Sequence, residues 1–123
     1  MTQQKTFLYF WLPVLFYAGL IFTLSSFPVV FPPAFGFRFS DKILHTIEYG
    51  ILGFLLARAF LKGSPPFFRN SFQFWAAAIA VVYGFTDELH QFYVPMRECS
   101  SFDLLFDGLG AILAQLIFFN RIL

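Results

Sequence analysis

Four runs of apolar residues, each close to the length of a membrane-crossing helix, make up most of this 123-residue chain and constrain its fold more than any other feature. They fall at about residues 7–27, 43–61, 72–90 and 102–120. A hydrocarbon core about 30 Å thick calls for about 20 residues of helix. Residues 7–24 carry no charge. That run exceeds the apolar core of about 7 to 15 residues found in signal peptides, so a retained first helix is expected rather than a cleaved leader. Pro13 lies inside it, and membrane helices tolerate an internal proline better than soluble ones do.

Composition supports the same class. Hydrophobic residues make up 59% of the chain and charged residues only 12%, with a mean hydropathy of +0.71. Four helices of this character in water would expose far more Phe and Leu than soluble monomers do. The expected fold is therefore all-α: a polytopic bundle of four transmembrane helices forming one domain over residues 1–123, with the lipid bilayer as its first partner. The 21 phenylalanines suit either lipid contact or packing between helices. Tyr9, Trp11, Trp75 and Tyr93 lie near predicted helix ends, where amphipathic rings favour the interface. The formal charge of +1 argues against a nucleic-acid partner. The single cysteine, Cys99, rules out an intramolecular disulfide. The Pro- and Gly-rich stretches "FPVVFPPAFGF" and "KGSPPFFRNS" break the chain between helices.

Four spans place both termini on one face. Lys5, Arg58, Lys62, Arg69 and Arg121 fall on the terminal side and Arg38, Lys42 and Arg97 on the other, so the positive-inside bias puts the termini in the cytoplasm. All seven acids lie between Asp41 and Glu48 or between Asp87 and Asp107. The fold thus carries polar residues from distant parts of the chain to one membrane face, the extracytoplasmic one.

These residues recur at helical spacing. Asp41, His45 and Glu48 or Tyr49 form one stripe on the second helix. Tyr83, Asp87 and Gln91 form another on the third, with Glu88 and His90 on adjoining faces. Asp103, Asp107 and Gly110 form one on the fourth, where Gly108 and Gly110 permit close helix approach. Ionised groups inside a bilayer cost about 2.5 to 3.5 kcal/mol each at its centre and usually turn towards partners or a wet cavity. An inward-facing pocket, roofed by "FYVPMRECSS" with Arg97 reaching back to the acids, satisfies that requirement; so, for a few of the residues, does simple interhelical bonding. His45 and His90 suit a structural hydrogen bond, general acid/base work or metal ligation, but neither belongs to an HExxH-type motif. Ser100 and Ser101 lack the surroundings of a nucleophile and suit capping of the fourth helix. Lys42 and Arg97 can meet a phosphate or carboxylate on a ligand, or pair internally.

The stretches "DKILHTIEYGILGF" and "YGFTDELHQFYVPMRECSSFDLLFDGLGAILA" resemble the VanZ-like family of small membrane proteins. The matching positions are Asp41, Lys42, His45, Tyr49, Asp87, Glu88, Gln91, Arg97, Asp103, Asp107 and Gly110, and "LSS" at 24–26 is similar to the family's first-helix ending. Met96 and Phe27 depart from the pattern at positions where Gly and Gln are common. The resemblance implies an integral protein of the bacterial cytoplasmic (inner) membrane and a connection with resistance to the glycopeptide teicoplanin.

Three readings follow. In the first, an outward pocket of Asp41, Lys42, Glu48, Tyr49, Gln91, Arg97, Asp103 and Asp107 binds, and in one version modifies, an envelope or lipid-linked compound or a glycopeptide. The second is a hydrolase or transferase using His45 with Asp87 or Glu88 as acid and base, with or without a divalent metal. The third is a small transporter, as a dimer or other oligomer; it ranks last because the acids gather at one face and the first helix has none.

Overall fold

The polar flanks of the apolar runs also support helix, so the helices extend past them. In the computed structural model, α1 spans Gln3–Ser25, α2 Phe37–Lys62, α3 Pro66–Arg69, α4 Phe72–Phe92 and α5 Ser101–Ile122. The structure describes residues 2–26, 37–93 and 101–122, and side chains at 25, 37–42, 91, 101–103 and 118–122 lie outside that description. Every regular element among the described residues is a helix. Thr2 caps α1, its hydroxyl accepting from the Lys5 amide at 3.2 Å, which satisfies one of the free donors of the first turn. Pro13 sits within α1 without ending it. Asp41 and Lys42 lie inside α2. Pro66 opens α3, where a missing amide costs nothing, and this single turn carries the chain from α2 to α4.

α2 is the central helix, packed most extensively on α5 and then on α4 and α1. Small residues allow the α2–α5 approach. A methyl group at Gly110 would lie 2.2 Å from the Thr46 carbonyl oxygen, and one at Gly53 would lie 3.1 Å from the Ala111 Cα. Gly110 therefore sits where two backbones cross, as side-chain-free positions permit. Gly108 does not, since its nearest neighbour would be Val81 Cγ2 at 3.7 Å.

α1 lies to one side and is held at four levels. Trp11 Nε1 donates to the Gly63 carbonyl at 3.0 Å, Tyr17 donates to the Glu48 carbonyl at 3.0 Å, Tyr83 donates to the Ala18 carbonyl, and Ser26 meets His90. These bonds fix the register of α1 against both neighbours. Trp11 packs edge-on to Phe60 at 4.9 Å and Trp75 edge-on to Phe68 at 5.1 Å, so the two tryptophans hold helices together. Tyr9 and Tyr93 are exposed.

Large apolar side chains cover much of the exterior, and several polar ones are buried within a largely apolar core. Phe16, Phe67, Phe74, Leu105 and Phe92 are exposed, Phe16 by 78%, whereas His45, Asp87, Glu88, Asp107 and Gln115 are buried. Gln3–Leu24 and Ile43–Lys62 are long and apolar enough to cross a membrane, and Leu104–Ile117 forms a shorter apolar helix. α4 carries Asp87 and Glu88 near its end.

Candidate functional site

Three helices place their polar stripes against one another. From α2, His45 and Tyr49 project one turn apart, about 6 Å along the axis, and both are buried. From α4 come the buried carboxylates of Asp87 and Glu88, and from α5 that of Asp107, which is fully enclosed. Because α4 runs antiparallel to α2 and α5, which lie parallel to each other, the start of α2, the end of α4 and the start of α5 share one end of the bundle.

His45 Nδ1–H donates to Asp107 Oδ1 at 2.7 Å. The contact joins residues 62 positions apart in sequence. Its length is that of a charge-assisted bond, and the carboxylate fixes which ring nitrogen carries the proton. One turn along α2, the Tyr49 hydroxyl donates to Asp87 Oδ2 at 3.1 Å. The Tyr49 ring lies 6.3 Å from that of Tyr83, whose hydroxyl reaches α1. Asp107 Oδ2 has no hydrogen-bond partner among the described residues although it is buried. It faces Gly84, where a methyl group would approach it to 3.0 Å. One potential ligand atom from each of His45, Glu88 and Asp107 lies within 4.8 Å of the other two. Chemically the arrangement offers a proton relay, a set of acceptors for a polar head or an N,O,O donor set for a cation.

His45, Tyr49, Asp87, Glu88 and Asp107 are thus brought together. Glu48 is half-buried, and its main-chain carbonyl accepts from Tyr17. Asp41, Lys42, Gln91 and Asp103 have defined places on α2, α4 and α5, with side chains outside the description, and Arg97 lies outside the described residues altogether. So do Cys99 and Ser100.

His90 turns away from the cluster. Its ring stacks on Phe22 at 4.4 Å and its Nε2 lies 2.9 Å from Ser26 Oγ. Ser26 spends its own proton on the Phe22 carbonyl at 2.9 Å, so His90 Nε2–H is the donor and the contact is structural. The "LSS" ending of α1 thereby acquires a physical role as the tie between α1 and α4.

Gln115 is a buried polar residue that the sequence patterns do not single out. Its Nε2 donates to the Gly53 carbonyl at 3.1 Å, and its main-chain carbonyl accepts from Gln73 Nε2 at 2.8 Å. This second polar tie among α2, α4 and α5 lies deeper along the bundle. A separate cleft of about 670 Å³ opens at the far end, beside Gln3, Thr6, Lys62, Ser64 and Arg69, and shares no residue with the cluster.

The family model described as VanZ/LLP1 matches residues 2–123 of the chain. No curated protein and no solved structure matches it.

Proposed function

The chain belongs to the VanZ-like family, and from that premise we propose that it is an integral membrane protein with a polar binding site in the outer half of the bilayer. In this reading α1, α2, α4 and α5 all cross the membrane and both termini face the cytoplasm. The site receives the polar head of an envelope or lipid-linked compound, and its occupancy is what links the protein to tolerance of teicoplanin.

One observation carries the proposal. His45, Tyr49, Asp87, Glu88 and Asp107 are buried together at one end of a bundle whose exterior is dominated by Phe and Leu. Charged side chains are excluded from lipid unless paired or functional. A bundle of this size needs few such residues for cohesion, because interhelical polar contacts in membranes contribute only about 0.6 kcal/mol on average. Five at one level exceed that need. α4, with two acids near its end, is the helix whose crossing depends most on those acids facing inward.

The test is expression of the chain in a teicoplanin-sensitive bacterial host. The wild-type protein is expected to raise the tolerated concentration. Asp87→Asn and Arg97→Ala are expected to abolish that protection while reaching the membrane in normal amounts. Full protection by both variants would remove the basis of this reading.

A further inference from the structure

We infer that His45, Glu88 and Asp107 form a binding site for one divalent first-row transition-metal ion. The inference deepens the reading above, since the ion would lie in the same cluster and present a positive charge to the anionic head of the bound compound.

The geometry comes first. Three ligands held about 2.0 to 2.2 Å from one tetrahedral ion lie about 3.3 to 3.6 Å from one another. The candidate atoms of the three side chains fall within 4.8 Å, so side-chain rotations that draw them together by about 1 Å complete the set. They come from α2, α4 and α5, and positions on three packed helices are more rigid than positions on loops.

The second observation is the orphaned oxygen. Asp107 is fully enclosed, and its Oδ2 has no partner among the described residues. A buried oxygen in that state bears a desolvation cost, which a coordinated cation would remove. Gly84 keeps the space beside that oxygen clear, because even a methyl group there would come within 3.0 Å of it.

Charge and donor type then narrow the ion. Two carboxylates so near one another repel in a medium of low dielectric, and a divalent cation balances both. One imidazole nitrogen with two carboxylates suits Zn²⁺ or Mn²⁺ better than Ca²⁺ or Mg²⁺, which favour oxygen alone, or Cu⁺, which favours sulfur. Three protein ligands leave a coordination position open for a further ligand. The His45 Nδ1–H to Asp107 Oδ1 bond holds two of the donor side chains against one another.

The test uses the full chain purified in mild detergent, stripped with EDTA and dialysed against Zn²⁺ or Mn²⁺. Metal content by mass spectrometry is expected to reach about one ion per chain with one of them, accompanied by a higher unfolding temperature. Glu88→Gln and Asp107→Asn, checked for helix content and monodispersity, are expected to weaken binding at least about 10-fold, the loss that even a supporting residue can cause. Should Asp107→Asn fail to fold, Glu88→Gln decides, because glutamine keeps the shape of glutamate. Failure to bind either ion, or undiminished binding in folded Glu88→Gln, would overturn the assignment. A protein that protects cells yet takes up no ion would overturn the metal alone and leave the binding site standing. Stoichiometric metal without protection would support the metal and remove the proposed link to teicoplanin.

Discussion

Replacing Gly110 with alanine is expected to remove most of the folded protein, the largest effect of any single methyl group in this chain. The new Cβ would lie 2.2 Å from the Thr46 carbonyl oxygen and 3.0 Å from the Gly50 amide nitrogen. Both are backbone atoms, so no side chain can swing aside, and the α2–α5 crossing must open. Overpacking of this kind costs about 1 to 3 kcal/mol or more, and here it falls on the most extensive helix contact in the molecule. Gly108→Ala is the control, since its methyl would meet Val81 Cγ2 at an ordinary 3.7 Å and should leave stability unchanged or raise it by up to about 1 kcal/mol through helix propensity. Gly19→Ala meets nothing within 4 Å and should stabilise α1 by up to about 1 kcal/mol through helix propensity. Thermal unfolding in detergent ranks the three, and a Gly110→Ala protein as stable as Gly108→Ala would show that the helices do not cross there.

The second large effect belongs to the His45–Asp107 pair, and it has a sign as well as a size. His45→Ala removes the only partner that Asp107 has among the described residues and leaves an enclosed carboxylate with neither oxygen bonded. Breaking a buried pair from one side costs about 3 to 5 kcal/mol. Replacing both members with apolar residues is often neutral or stabilising, so His45→Leu with Asp107→Leu should unfold at a higher temperature than His45→Ala while losing the proposed activity. Equal stability of His45→Ala and the wild-type chain would mean that the two side chains do not meet.

Much of this cluster was legible in the sequence, because three- and four-residue spacing determines which residues share a helix face whatever surrounds the helix. His45, Asp87 and Asp107 were readable on that basis. The choice between Glu48 and Tyr49 was not, since both lie within one turn of His45. Packing brings Tyr49 against Asp87. Sequence spacing placed His90 on a face adjoining the Asp87 stripe, and its contacts with Phe22 and Ser26 of α1 show which way the ring turns. Gly108 and Gly110 looked equivalent until the crossing of α2 and α5 separated them. Gln115 left almost no signal, being one amide in an apolar run, and its partner is a main-chain carbonyl on α2 that no side-chain pattern reveals. Trp11 and Trp75, placed near helix ends by the sequence, also engage the Gly63 carbonyl and the Phe60 and Phe68 rings, contacts that position along the chain does not reveal.

Thiol crosslinking tests the central claim most directly: that polar side chains from α2, α4 and α5 meet inside an apolar exterior. In a Cys99→Ser background, cysteines introduced as His45→Cys and Asp107→Cys should be bridged by a short bifunctional thiol reagent in native membranes. The pair Phe16→Cys and Leu105→Cys, at exposed positions, should each accept a lipid-soluble label. An unbridged 45–107 pair in a folded protein, with label entering freely at those two positions instead, would contradict the account.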